Sequence, residues 1–186
     1  VGTVSNTAIS FGSAVTYSTA STTSTGATFD LNSNKVVVAY NASSNGKARV
    51  GTVSGTSISF GTEVAFEAAA SAFISPTFDS SANKVVIGYQ DSGNSSYGTA
   101  IVGTISGTNI SFGTAVVFNA ATTNAVVTTF DTNANKVVII YEDSGNSSYT
   151  TAIVGTVSGT GISFGAEALV AGNSNNTSES VCYDST

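Results

Sequence analysis

Short runs of β-branched and aromatic residues alternate with polar turn residues along the whole chain, and the alternation repeats. The stretch VGTVSGTSISFG that begins at Val50 recurs as VGTISGTNISFG from Val102, as VGTVSGTGISFG from Val154 and as VGTVSNTAISFG from Val1. The two later steps are 52 residues and the first is 49. This period exceeds a solenoid rung of roughly 20 to 30 residues and suits a small sheet per unit. We predict one repeat domain, 1–186, with units 1–49, 50–101, 102–153 and an incomplete 154–186.

Each unit carries four strand signals separated by turn signals. In one unit they are Ala48 to Val53, Ser57 through Gly61 to Phe66, Phe73 to Phe78, and Lys84 to Tyr89. Runs of this kind, separated by tight turns, predict antiparallel pairing and argue against a parallel β-helix. The last run is apolar on both faces, which predicts an interior strand.

The turn of the recurring hairpin has a left-handed position. Asn6 stands where the later units have Gly55, Gly107 and Gly159. Gly adopts positive φ freely and Asn tolerates it best among the other residues. The exchange therefore predicts positive φ at all four positions.

Four antiparallel strands in about 50 residues, repeated in tandem, are typical of a β-propeller blade. The pattern FDxxxNKVVxxY occurs at 29–40, 78–89 and 130–141. With the VGTVSGTxISFG stretch, it resembles tandem-repeat, propeller-like proteins of marine microbes and their phages, over essentially the whole chain. The resemblance implies a virion appendage or surface protein, located extracellularly or on the virion. The Trp-Asp, kelch Gly-Gly and sialidase Asp-box markers of other propellers are absent, so no sialidase chemistry carries over.

The fold prediction is thus an all-β, propeller-like stack of antiparallel blades forming an arc or fragment of a larger ring. The alternative is a four-bladed ring that lacks one central strand. Residues 180–186 match 75–81 with one inserted residue, so the sequence stops inside a turn. We expect the native polypeptide to continue past Thr186 with a Lys-Val-Val-like strand. We also expect four Phe side chains at equivalent positions to lie between blades, namely Phe11, Phe60, Phe112 and Phe164.

Composition limits the partners. Charged residues make up 9% of the chain and the net charge is -6. This charge repels phosphate backbones and anionic lipid headgroups, so we expect neither nucleic-acid binding nor membrane insertion. No apolar run approaches the ~20 residues of a membrane helix. The single thiol, Cys182, is expected to be a core residue of the next unit. The alternative is a disulfide with a part of the polypeptide outside this sequence or with another polypeptide.

The Asp-initiated turns invite a calcium interpretation. Asp30-x-Asn32-x-Asn34 and the matching residues 131–135 space oxygen ligands as calcium loops do. However, Lys35 and its equivalents place an ammonium group where calcium loops need Gly. An Asx-turn, in which the carboxylate accepts from backbone amides, explains the same residues. We therefore predict no metal and no cofactor.

Hydrolytic catalysis lacks its usual residues. The chain has no His and a single Arg, Arg49, so a Ser-His triad cannot be assembled. Glu142 and Asp143 are adjacent, and adjacent strand residues point to opposite faces, so they do not form a glycosidase pair. We predict that the protein is not an enzyme.

The loop DSGNSSY is the candidate binding segment because it occurs identically at 91–97 and 143–149. Asp and Asn side chains can bind sugar hydroxyls, and a Tyr ring can stack on a pyranose. The candidate ligand-binding residues are Asp91, Asn94, Tyr97, Asp143, Asn146 and Tyr149. The alternative is a plain turn in which both Tyr rings cap the core.

Two functions follow from these patterns. The first is a non-enzymatic structural and adhesive module of a virion appendage or cell surface. The second is a secreted multivalent lectin in which weak sites repeat around one rim. The expected partners are surface glycans, other virion or surface proteins, further copies of the chain, or the remainder of its own polypeptide.

Overall fold

Antiparallel strands of four to sixteen residues account for most of the chain in the computed structural model, which describes residues 1–171 and 181–182. In chain order they are β1 Gly2–Ser5, β2 Ala8–Phe11, β3 Thr22–Asp30, β4 Lys35–Ala42, β5 Asn45–Ser54, β6 Ser57–Phe60, β7 Val64–Glu67, β8 Ser71–Asp79, β9 Lys84–Asp91, β10 Tyr97–Ser106, β11 Asn109–Phe112, β12 Val116–Asp131, β13 Lys136–Asp143, β14 Tyr149–Ser158, β15 Gly161–Phe164 and β16 Ala168–Ala171. A short 3₁₀ helix spans Ser144–Asn146. The predictions of an all-β fold and of antiparallel pairing are confirmed.

The strands form a two-stranded, a five-stranded and a curled nine-stranded sheet. The hairpin β1–β2 stands alone, and β3-β4-β5 with β6 and β7 form what we call layer 1. In the large sheet, β8-β9-β10 with β11 and the start of β12 form layer 2. The rest of β12 forms layer 3 with β13, β14, β15 and β16.

The strand signal from Ser57 to Phe66, the second of the four, is split into two short strands. Both β6 and β7 pair with β5, and the chain between them breaks the register. At the break, the Gly61 amide donates to the Val50 carbonyl at 2.9 Å. The predicted run from Ser57 to Phe66 is therefore two strands rather than one. In β12, by contrast, the chain continues without a break from pairing with β10 to pairing with β13.

The turns follow the sequence predictions. Asn6, Gly55, Gly107 and Gly159 all have φ between 52° and 62°, so the left-handed hairpin position is confirmed. The Asp30 carboxylate accepts from the Asn32 amide at 2.8 Å, and the equivalent Asp79 and Asp131 make the same bond. The Asx-turn interpretation of these aspartates is thus confirmed.

The interior of the fold lies between successive layers. The predicted interior strand is confirmed, because Val85, Val86, Ile87 and Tyr89 are completely buried. Apolar residues of β4 and β5 share one core cluster with those of β9 and β10. A second cluster joins β9, β10 and β12 to β13 and β14.

Aromatic side chains join the layers at equivalent places. The Phe66 ring lies 5.2 Å from Tyr89 and 5.8 Å from Phe112, and Phe118 lies 5.0 Å from Tyr141 and 5.8 Å from Phe164. Phe60 contacts Tyr17 in the same way. The prediction that the repeated Phe positions lie between units holds for these three.

Two sequence predictions are wrong. Phe11 is exposed, because the described chain has no preceding layer against which it could pack as Phe112 packs on Phe66. Cys182 is also exposed, since residues 181–182 are not in a strand and no sheet buries the thiol. The interrupted turn at Asp184, on which the prediction of a longer polypeptide depends, lies outside the described residues.

Successive hairpins fit against glycines of the preceding unit. A methyl group on Gly61 would overlap the carbonyl oxygen of Thr108, and one on Gly113 would overlap that of Thr160. Gly12 meets Thr56 in the same way. These close backbone approaches explain the Gly that follows the SISF-like strand at these three positions. No helix among the described residues is long and apolar enough to span a membrane.

Candidate functional site

The first DSGNSSY loop joins β9 to β10. The carboxylate of Asp91, at the end of β9, accepts from the Gly93 amide at 2.9 Å, and its carbonyl accepts from the Asn94 amide at 3.2 Å. The Asn94 carbonyl in turn accepts from the Tyr97 amide at 3.0 Å. The backbone groups of the loop thereby satisfy one another, as in an Asx-turn.

The second loop, between β13 and β14, has the same basis. The Asp143 carboxylate caps the 3₁₀ helix by accepting from the Gly145 amide at 2.9 Å. It also accepts from the amide of the buried Asn119 side chain at 3.0 Å. Both carboxylates are buried, which leaves them committed to the turn.

The corresponding turn of the first unit lacks three residues. There, Ser43 and Ser44, both with positive φ, connect β4 directly to β5. The longer loops contain the same serine pair in the same conformation, at 95–96 and 147–148. The loops are therefore this two-residue turn with Ser-Gly-Asn inserted before it.

Within each loop, the structure brings the predicted Asp and Tyr together. Tyr97 is the cross-strand partner of Asp91, and Tyr149 is that of Asp143. Both Tyr residues are half-buried. The amide-bearing residues at the loop centres, Asn94 and Asn146, are exposed. The two loops themselves belong to different layers.

Glycine lets a neighbouring segment approach each loop closely. A Cβ on Gly93 would collide with the methyl group of Ala69, and one on Gly145 with that of Ala121. The two alanines lie in equivalent segments that lead from one layer to the next. Each loop is thus packed on one side by the chain crossing and open on the other.

The sequence analysis missed a pair of acidic residues beside the first loop. Burial raises the pKa of the Asp91 carboxyl, and the negative charge of Glu67 raises that pKa further. In the next unit Asn119 stands at the position of Glu67 and donates to Asp143 instead. The only sequence signal was this Glu-to-Asn difference between otherwise similar segments, FEAAAS and FNAATT.

Other acidic side chains accept from buried tyrosines. The Glu63 carboxylate accepts from the Tyr40 hydroxyl and pairs with the Lys47 ammonium group, each at 2.7 Å. These hydrogen bonds, the one from Lys47 foremost, lower the pKa of Glu63. Burial raises the pKa of the Tyr40 hydroxyl, which therefore acts as a neutral donor.

Neither a cavity nor a cluster of three or more potential metal ligands occurs among the residues that the structure describes. The three Asp-initiated turns direct their carboxylates at backbone amides, and the Lys35 ammonium group donates to the Thr52 hydroxyl at 2.9 Å. The groups that each loop can offer a ligand are exposed amides beside a half-buried aromatic ring, and they lie on the surface.

Comparisons with protein-family models, with curated proteins and with solved structures found no match to this chain.

Proposed function

We propose that the chain is a non-enzymatic structural and adhesive module in which the layers stand as propeller-like blades around a common axis. The observation that carries this proposal is the repeated aromatic contact between layers. Phe66 of layer 1 packs on Tyr89 and Phe112 of layer 2, and Phe118 repeats that contact on layer 3. Equivalent contacts at equivalent positions favour a constant rotation from one layer to the next.

Contacts between the first strands of the layers support the same arrangement. The Thr128 amide in β12 donates to the Ser75 hydroxyl in β8 at 2.9 Å, and the Thr128 hydroxyl donates to the Ser75 carbonyl at 2.8 Å. Between β3 and β8, the adjoining turns meet through Asn32 and Asn83. In a propeller, the first strands of neighbouring blades lie beside one another around the axis.

The proposed setting is a virion appendage or a cell surface. A scaffold there needs repeated units and an exposed polar surface, which this chain provides through short Ser-, Thr- and Asn-rich turns. Antibody labelling of intact source particles or cells tests the setting, and we expect surface labelling. Labelling that appears only after lysis would contradict it. Single-particle images of the purified chain test the arrangement, since stacked flat layers without a common axis would rule out blades.

A second candidate function is a multivalent lectin, favoured by the exposed amides of Asn94 and Asn146 beside half-buried Tyr rings in two identical loops. Asn and Tyr are residue types that bind neutral sugars. A glycan array of the chain tests this function, with the double variant Tyr97→Ala, Tyr149→Ala and the matched control Leu31→Ala, which removes an exposed apolar side chain elsewhere.

If the lectin function is correct, neutral glycans bind weakly, the double variant loses binding with its circular dichroism unchanged, and the control retains it. Loss of binding on adding a chelator would instead indicate a calcium-dependent site. No binding by the intact chain would leave the structural role alone. A double variant that unfolds would show that the rings cap the core.

A further inference from the structure

We propose that the exposed face of layer 3 binds the hairpin β1–β2 of a second copy of this chain, head to tail. The contact would reproduce the one that the molecule makes internally between layers 1 and 2 and between layers 2 and 3. Its two surfaces lie at opposite ends of the chain, so the association is heterologous.

The internal contacts define what such a surface needs. In layer 2, the hairpin residue Ile110 is buried in one cluster with Val50 and Phe66 of layer 1. In layer 3, Ile162 is buried in one cluster with Val102 and Phe118 of layer 2. In both cases the Ile comes from the hairpin of the following layer. It packs on two residues of the preceding layer, a Val in its third strand and the Phe that comes after its own hairpin.

Layer 3 presents the receiving side without an occupant among the described residues. Val154 stands at the position of Val50 and Val102, which are completely buried, yet it is 45% exposed. Val170 stands at the position of Phe66 and Phe118 and is 54% exposed. A Cβ on Gly165 would meet nothing closer than the Val154 carbonyl oxygen at 3.8 Å. At the equivalent Gly61 and Gly113, hairpin backbone occupies that space.

The hairpin β1–β2 presents the inserting side. Its register, from Gly2 opposite Phe11 to Ser5 opposite Ala8, is that of the hairpin β10–β11, from Gly103 opposite Phe112 to Ser106 opposite Asn109. Asn6 supplies the left-handed turn residue. The backbone geometry that fits against Gly61 and Gly113 is therefore present at this end as well.

The side chains that would make the contact are uncovered. Ile9, equivalent to Ile110 and Ile162, is 57% exposed, and Phe11 is 73% exposed. Thr7 stands where Thr108 and Thr160 meet the preceding glycines. An unrelated partner would have to match this register by chance, whereas a second copy carries it in its own sequence. The occupant that the described residues themselves supply is therefore another copy of the chain.

Sedimentation velocity over about a hundredfold range of concentration tests the proposal. We expect the average mass to rise with concentration above the 18.5 kDa of one chain. The variants Phe11→Ser and Gly165→Val each alter one side of the contact at an exposed position, so circular dichroism should show both to be folded. Each alone should remain monomeric throughout the range. Leu31→Ser, an exposed apolar change elsewhere, is the control and should associate as the unaltered chain does.

The decisive measurement mixes the two variants. Phe11→Ser retains the receiving face and Gly165→Val retains the hairpin, so an equimolar mixture should form a one-to-one dimer and nothing larger. An unaltered chain that stays monomeric overturns the proposal. So does undiminished association of either variant alone, or a mixture that remains monomeric.

Discussion

The hydroxyl of Tyr89 in layer 2 donates to the carboxylate of Glu67 in layer 1, with 3.1 Å between the two oxygens. In the neighbouring units, Tyr40 donates to Glu63 and Tyr141 to Glu167, two acidic residues at equivalent positions. Layer 2 has Ala115 at that position. Glu67, which comes from the preceding layer, therefore replaces the acceptor that layer 2 lacks. Each of these three buried hydroxyls thus has a carboxylate acceptor.

Tyr89→Phe removes this donor and should lower the free energy of unfolding by about 1 kcal/mol. Burial raises the pKa of the Tyr89 hydroxyl, and it is the neutral phenol that donates. Urea denaturation measures the loss. Tyr97→Phe, at the half-buried first residue of β10, is the matched control and should change stability by less than about 0.5 kcal/mol. Equal losses in the two variants would show that the bond to Glu67 contributes nothing specific.

The raised pKa of Asp91 makes stability depend on pH. Because ionised Asp91 is less favourable in the folded than in the unfolded chain, its contribution declines as pH rises from the ordinary carboxyl value of about 4 through the raised folded value. Asp91→Asn keeps an acceptor for the Gly93 amide and removes the charge facing Glu67. We expect the variant to lack this decline.

The measurement is the difference in free energy of unfolding between the unaltered chain and Asp91→Asn at a series of pH values. Asp143→Asn is the control, because the amide of Asn119, not a carboxylate, faces Asp143. A difference for Asp91→Asn that favours the unaltered chain increasingly at higher pH would show that the sign is wrong.

Gly61→Ala and Gly113→Ala should each destabilise the fold by about 3 kcal/mol or more. The added methyl group would overlap a backbone carbonyl of the next hairpin, and backbone cannot move aside as a side chain can. Gly165→Ala is the same substitution at the equivalent position without that neighbour, and should be nearly neutral. Thermal unfolding at low protein concentration compares the three. A comparable loss at Gly165 would mean that the backbone itself requires Gly there.

Phe118→Ala should lower the free energy of unfolding by about 3 to 5 kcal/mol, because it leaves a cavity between Tyr141 and Phe164. Phe112→Ala should cost less, since Phe112 is only half-buried. Phe11→Ala, at the exposed equivalent of Phe112, should stay within about 0.5 kcal/mol at low concentration. Chemical denaturation gives all three values, and similar losses at Phe11 and Phe118 would argue against packing between layers.

Local features of this fold were predictable from the sequence. The strand runs follow from alternating apolar residues, and the turn at Asn6 follows from its exchange with Gly. The split of β6 from β7 was not predicted, because the apolar run continues through Gly61 and the break shows only in the hydrogen bond from the Gly61 amide to the Val50 carbonyl. The same break separates β15 from β16 at Gly165, so it belongs to the unit itself and not to its neighbour.

The candidate loops were found by their repetition, and a plain turn was among the alternatives considered, but the role of Asp91 and Asp143 as acceptors in that turn was not predicted. The proximity of Glu67 to Asp91 was not found. The two residues lie on different layers and come together only where the chain crosses between them. Predicting such a pair requires knowing which segment packs beneath the loop.

The fit of each hairpin threonine against the preceding glycine also bears on how such a gene can grow. Excising residues 50–101 would join Arg49 to Val102, which begins the same stretch as Val50. Gly12 would then meet Thr108 in place of Thr56, with the same backbone partners. Duplication or loss of one whole unit therefore requires no new interface. The number of units can change while the contacts between neighbouring units stay the same.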